Sequence, residues 1–360
     1  MADSKIQHKD SMRSTWRQSP REQWTFAQKF LSTLDAFSRF DDREIPVHAK
    51  DDPVPYLADW KSHVWILYHA FMILGIHQAY VYLTGHNLNR IAAFFLYSYA
   101  YKANAIILVR LLRRLGHVYG FFDGDKHARD GVPDNGVAKT LVSLLSTTTF
   151  RPMMTVILAY RPDETPTSMN LLWLVVEVGA YSVILDFYFY WYHRAMHDVD
   201  SLWKYHRTHH LTKHPISLLS AFADHEQEFF DIIMCPLATY TTMKLMGFPM
   251  GFYEWWVCYE YVIFAEAFGH SGLRVCATPP SSVSWLLWLT GCELLIEDHD
   301  LHHRYGYRVS HNYGKQTRLW DRIFGTCRDR IESTKVDFSK QADLPIFFWP
   351  KLPPRIQVSK

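Results

Sequence analysis

A chain of 360 residues with a net charge of +2 and 21% charged residues carries no electrostatic footprint for nucleic acid, and is long enough for a large buried core. Aromatic residues reach 16%, and together with apolar runs of about 20 residues they point to a bilayer, whose interfaces favour Trp and Tyr. Five widely spaced cysteines (Cys235, Cys258, Cys276, Cys292, Cys327), with no Cys-x-x-Cys among them, argue against a disulfide framework and a zinc ribbon.

Residues 1–62 read as a polar, cytosol-facing lead with short helical patches such as 24–40, closed by Pro46, Pro53 and Pro55. This lead has no apolar stretch of the signal-peptide kind, so membrane insertion is expected to use internal segments. Apolar segments follow at 64–83, 91–112, 141–160, 171–192, 228–246 and 250–268, all candidate spans, with a shorter interfacial or cap helix at 283–296. Lys102 and Asn104 interrupt the second segment, and Arg151-Pro152 the third, which predicts kinked or half-inserted helices there. Glu254, Glu260 and Glu266 punctuate 250–268, and intramembrane acids face a protein interior. Basic residues around 113–140 (Arg110, Arg113, Arg114, Lys126, Arg129, Lys139) and after 192 (Arg194, Lys204, Arg207, Lys213) place both regions in the cytosol. Three hairpins then turn in the lumen, at 85–87, 161–167 and 247–251, and the histidines flanking the third share the cytosolic face.

Histidine is the anomaly: 20 copies, twelve of them from His193 to His311. His193-Arg-Ala-Met-His197 follows the fourth apolar segment, His206-Arg-Thr-His209-His210 comes next, and His299-Asp-Leu-His302-His303 repeats the second pattern. Positions i, i+3 and i+4 share one face of a helix, so each cluster aims two or three imidazoles at one point. Eight such rings are enough for two metal ions, and exceed what one zinc ion requires. Imidazole suits several metals, so ligand type alone does not choose between them. Iron is favoured because an apolar substrate with an unactivated C–H bond demands an oxidant derived from O2. His270 is expected to join as a ligand, with His225 a further candidate. His214 and His311 are open, and His63, His69, His77, His86 and His117 are expected to be structural. Asp186, Asp198, Asp224, Glu226, Asp298 and Asp300 lie near enough to orient ligands, although ordinary solvated roles are favoured for each. Phe187, Phe189, Trp191, Trp203 and Phe222 are expected mainly to pack.

These boxes, with Ala223-Asp-His225, His270-Ser-Gly272, Asn312-Tyr-Gly314 and Leu319-Trp-Asp-Arg-Ile-Phe-Gly-Thr326, resemble the fatty acid hydroxylase/sterol desaturase superfamily. That superfamily includes sterol C-4 methyl oxidases, sterol C-5 desaturases, cholesterol 25-hydroxylase and fatty acid 2-hydroxylases. The resemblance covers roughly 171–330 and keeps the family's order. It implies an all-α, multi-pass membrane bundle in the endoplasmic reticulum, whose cytosolic helical cap holds two iron ions. It further implies O2 as co-substrate and electrons from NAD(P)H through cytochrome b5 and its reductase. No His-Pro-Gly-Gly stretch indicates a fused cytochrome b5 domain. The expected organisation is a polar region at 1–62, membrane helices at 63–170, a catalytic domain at 171–330 and a tail at 331–360.

The expected activity is hydroxylation or desaturation of a lipid or sterol-like substrate; a tailoring reaction on a terpenoid or polyketide is the alternative within this chemistry. A histidine-based membrane metal transporter is the rival from another class, but transport sites lie at mid-membrane on broken helices, whereas these clusters adjoin segment ends. A catalytically dead scaffold of the same fold is opposed by the intact boxes.

Overall fold

Four helices carry the first four apolar segments, and their ends are where the sequence provides the chemistry to stop and start them. The computed structural model describes residues 9–37 and 43–354; the end of the 24–40 patch and residues 355–360 of the tail lie outside the described residues. Helix α1 (Phe26–Thr33) opens on a capping box between Thr25 and Gln28. After the short strand β1 (Val54–Tyr56) come α2 (Asp59–Thr84), α3 (Arg90–Tyr119), α4 (Val137–Leu158) and α5 (Leu171–Asp198). All four are long and apolar enough to cross a membrane. Gly85, at φ +70°, ends α2 in the left-handed conformation that glycine adopts without strain. The side chains of Asn89 and Asn170 cap α3 and α5.

The three expected hairpin turns meet at one end. Asn87 Nδ2 donates to Pro162 O (3.0 Å) and Glu164 O (2.6 Å), and the Tyr253 hydroxyl donates to Glu164 O at 2.8 Å. At the opposite end α5 terminates. Its 28 residues measure about 42 Å, longer than a hydrocarbon core of about 30 Å, and its last turns carry His193 and His197.

The remaining elements form the cap and the centre: α6 (Asp200–His206), α7 (His225–Phe229), a π-helical turn (Phe230–Met234), α8 (Cys235–Leu245), α9 (Phe252–Gly269), α10 (Ser284–Thr290), α11 (Ile296–Tyr305) and α12 (Leu319–Ile323). Strand β2 (Val336–Gln341) pairs parallel to β1, Val54 opposite Val336. Among the described residues, this two-stranded sheet and two isolated bridges, Tyr56–Cys276 and Phe121–Leu273, depart from a wholly helical fold.

Two of the six candidate spans take another form. Segment 228–246 is divided by the π-helical turn, with Pro236 in the first turn of α8. Segment 250–268 becomes α9, buried along almost its whole length because α2, α3, α4, α5 and α11 pack around it. Its acids are used inside the protein. Glu254 Oε1 accepts from the Asn170 N–H (2.9 Å) and Glu260 Oε1 from Asn104 Nδ2 (3.0 Å), while Glu266 takes both Arg151 Nη atoms at 2.6 and 2.9 Å. Asn104 and Arg151, which look like flaws in apolar segments, are therefore partners of the central helix. Helix α4 runs unbroken through Pro152.

Candidate metal centre

Nine histidines converge where α5, α6, the turn after it, the end of α9 and α11 meet. They form two groups: His193, His197, His206, His210 and His302; and His209, His270, His299 and His303. Within each group the candidate ligand atoms lie within 4.8 Å of one another. None of the nine is more than 3% exposed. The i, i+4 pair of α5 supplies His193 and His197. Helix α11 turns His299, His302 and His303 inward on one face.

The acids interleaved on α11 point elsewhere and pin the helix. Asp298 accepts from the Leu295 N–H (2.8 Å) and Arg330 Nη2 (2.8 Å), and Asp300 pairs with Arg129 (2.6 Å) and Arg304 (2.7 Å). Glu297 receives the backbone N–H groups of Ile331, Glu332 and Ser333 at 2.7 to 2.9 Å.

The ring nitrogens divide into two functions. Nδ1 donates to a backbone carbonyl in His193 (Tyr313 O, 2.7 Å), His197 (Tyr307 O, 2.9 Å), His209 (Phe222 O, 3.2 Å), His270 (Glu266 O, 2.7 Å), His302 (His311 O, 2.7 Å) and His303 (Thr212 O, 3.0 Å). In His206 the partner is the Gln227 side chain, with Oε1 at 2.9 Å. A carbonyl oxygen only accepts, so the proton of each neutral ring sits on Nδ1 and the Nε2 lone pair is bare. The Nε2 atoms face one another: His210 lies 3.1 Å from His197 and 3.0 Å from His302, while His270 lies 3.2 Å from His209 and 3.0 Å from His299. His209 and His270, both with Nδ1 tied, set two bare lone pairs against each other, which repel; a proton on Nε2 of His210, whose Nδ1 has no partner among the described residues, relieves only one of its two contacts. A cation between them removes the conflict, since nitrogens each about 2.0–2.1 Å from one ion stand about 3 Å apart. The Nε2 atoms of His193, His206 and His303 are buried with no hydrogen-bond partner among the described residues. Such orphaned acceptors also call for a bound group. Burial first, and neighbouring imidazoles second, hold His206, His209, His210 and His299 well below the ordinary histidine value of 6.5, as metal ligation requires.

The other sequence candidates fall outside these groups. His225 is 72% exposed at its side chain and faces Glu228 at 3.5 Å, on the outer side of α7. Asp186, Asp198, Asp224, Glu226, Asp298 and Asp300 make no hydrogen bond to any of the nine rings among the described residues. Asp186 instead ties down the loop after Tyr313, through the N–H groups of Lys315 (2.7 Å), Gln316 (2.9 Å) and Thr317 (3.1 Å). His214 contacts Asp123 (3.0 Å), and His63, His69 and His77 bind Tyr261, Trp65 and Tyr97, as structural residues do. Gln227 escapes sequence reasoning. It lies two residues from the conspicuous His225, on the inward face of the same short helix.

Residues 178–326 match the family described as fatty acid hydroxylase. The chain is 43% identical to the fatty acid hydroxylase vlmA of a Lecanicillium species, over 82% of this chain and 85% of that protein. A Delta(7)-sterol-C5(6)-desaturase of Nicotiana tabacum is 32% identical over 44% of this chain and 53% of its own length. An alkylglycerol monooxygenase of Homo sapiens is 28% identical over 46% of this chain and 33% of its own length. No solved structure matches the chain. The histidine spacing and the near full-length likeness to vlmA agree: this multi-pass membrane protein belongs to the fatty acid hydroxylase family of lipid-oxidising enzymes.

Proposed function

We propose that the two histidine groups hold a pair of iron ions and that the protein is an O2-dependent oxygenase of an unactivated C–H bond in a lipid-like substrate. The observation that carries this reading is the convergence of nine buried imidazoles, seven of which present a bare Nε2 because Nδ1 is tied to a fixed acceptor. The five-nitrogen group exceeds the four ligands of a closed zinc site, the nine together exceed what one zinc ion requires, and no cysteine belongs to either group. When bound, the iron pair supplies the reduction of O2 and the oxidising power to remove hydrogen from carbon. For hydroxylation, substrate C–H, O2, two electrons and two protons give C–OH and water; for desaturation, two hydrogens leave and two waters form.

The chain's own contribution is positional. The carbonyls of Tyr313, Tyr307, Phe222, Glu266, His311 and Thr212 fix ring tautomers, and burial excludes bulk water from the nine rings. Electrons come from NAD(P)H through a redox partner, cytochrome b5 and its reductase being the proposed pair. The proposed setting is the endoplasmic reticulum membrane with the histidine end in the cytosol, as the basic residues after 192 favour. The proposed catalytic unit is 171–330, preceded by the membrane helices of 63–170.

The test is iron content of the purified protein together with O2-dependent product formation in membranes supplied with NADPH. About two irons per chain and a product heavier by one oxygen, or lighter by two hydrogens, are expected. A protein that copurifies without iron, cannot be loaded with it and consumes no O2 would overturn the reading.

A further inference from the structure

The histidine centre shares a wall with a small polar pocket. Glu266, whose carbonyl orients His270, lines it, and so does Ala223, next to the Phe222 carbonyl that orients His209. Asp231 completes this side; its Oδ2 lies 3.3 Å from Gln227 Nε2, while Gln227 Oε1 orients His206. The pocket holds about 60 Å³, room for a few heavy atoms.

Lys315 and Asp231 keep unused hydrogen-bonding capacity there, as do Glu228 Oε1 and Arg151 Nε at its edges. The Lys315 ammonium stands 3.7 Å from Asp231 Oδ2, too far for a hydrogen bond, and 4.3 Å from the Phe189 ring. It makes no side-chain hydrogen bond among the described residues, although the side chain is only 13% exposed. Asp231 Oδ1 is likewise buried without a partner. Glu266, by contrast, is saturated by Arg151. A buried ion pair held apart in this way is costly unless a third group bridges it.

A second cavity of about 330 Å³ continues from the first, sharing Glu228 and Ile232. Val142, Phe150, Phe229 and Ile233 line it, and the first three are exposed on the apolar side of α4 and α7. The π-helical turn creates the junction by presenting Asp231 to the polar pocket and Ile233 to the apolar one; such turns recur at functional sites. A polar inner end joined to an apolar outer groove has the shape of an amphipathic molecule.

We propose that Lys315 and Asp231 bind the polar end of a long-chain substrate through a group that both accepts and donates a hydrogen bond: a hydroxyl, an amide or a protonated carboxyl. The apolar chain then lies in the groove between α4 and α7, leading to the bilayer. The inference rests on the oxygenase reading and names the substrate class of that site. An ester or hydrocarbon end fails this requirement, because neither donates to Asp231. With the polar end anchored, the carbon attacked is counted from that end.

The test is retention of hexadecanol, hexadecanamide, hexadecanoic acid, methyl hexadecanoate and hexadecane by the iron-loaded enzyme in detergent, read by native mass spectrometry. The alcohol and amide should bind at least about tenfold more tightly than the ester and hydrocarbon, equivalent to one lost polar contact of about 1.4 kcal/mol. The acid should bind like the alcohol at low pH. Asp231→Leu should bring the alcohol down to the level of the ester without changing retention of the ester, Lys315→Met should weaken alcohol and ester together because both carry an oxygen that accepts from it, and Lys315→Arg should keep both contacts. Ile233→Trp, which fills the groove, should weaken all five ligands alike. Equal retention of ester and alcohol by the wild type, retention of none, or a Lys315→Met protein that behaves as wild type would overturn the proposal. Head-group-dependent retention by a protein that takes up no iron would instead sustain the pocket and defeat the oxygenase reading.

Discussion

The Lys102 ammonium of α3 donates to the Thr148 carbonyl of α4 at 3.1 Å, and to Thr149 Oγ1 at 2.9 Å. Thr148 lies four residues before Pro152, which has no N–H to offer it. The lysine thus satisfies the carbonyl that the proline leaves free, in a helix where water is scarce. Lys102→Met should strand that carbonyl and destabilise the protein by about 1–3 kcal/mol. Pro152→Ala restores the helix bond, so the double variant should recover most of the loss. Thermal unfolding in detergent, analysed as a double-mutant cycle, measures the coupling; additive effects would show that the two residues act independently.

The His206 Nδ1 meets no backbone carbonyl among the described residues, and the Gln227 side chain supplies its acceptor. Gln227→Leu frees the His206 ring to rotate and to change tautomer. Iron affinity, measured by chelator competition, should fall roughly 10–100-fold, with secondary structure unchanged. Gln227→Glu keeps an acceptor and should retain most of the affinity.

The parts of this centre legible in the sequence are those that follow from periodicity. His299, His302 and His303 share a helix face by spacing alone, as do His193 and His197, and the structure gathers all five with the 206–210 group. The carbonyls that orient the rings leave no signature, since every residue has one; Tyr313 and Thr212 act through the backbone. His225 carries the conspicuous motif, yet its side chain faces outward, while Gln227 contacts His206 on the inner side of α7. Lys102, Asn104, Arg151 and Glu266 read singly as interruptions of spanning segments. Only the packing of α3 against α4, and of both against α9, brings each to its partner, which no one-dimensional hydropathy window can show.

Acid should destabilise the metal-free protein in a defined window. His206, His209, His210, His299, His302 and His303 are held well below 6.5 in the folded state, chiefly by burial. Above 6.5 neither state binds the protons. Below it the unfolded chain takes them up while the folded chain does not, so stability falls with falling pH until the depressed folded values are reached. Each proton contributes roughly 1.4 kcal/mol per pH unit, so several acting together give a steep decline. Thermal unfolding of chelator-treated protein between pH 7.5 and 5, with the pH chosen to bracket that 6.5 value, checks this. A flat profile would mean that these rings are not jointly neutral and buried.

The last ligand-orienting carbonyl, that of Tyr313, depends on a loop that two acids hold in place. Asp186 receives three backbone N–H groups and the Thr317 hydroxyl (2.8 Å), and Asp321 receives the N–H groups of Tyr313 and Gly314, both at 2.8 Å. Asp186→Ala would leave those four donors buried without an acceptor, a loss above about 3 kcal/mol if two or more stay unsatisfied. The loop carries both the His193 acceptor and Lys315, so two effects should appear together. Iron occupancy should fall, and retention of hexadecanol should lose its preference over the methyl ester. Asp321→Ala, which frees Tyr313 but not the Lys315 N–H, should reduce iron occupancy more than it alters the head-group preference. That difference is the sharper measurement, because general unfolding would lower both readouts in both variants equally.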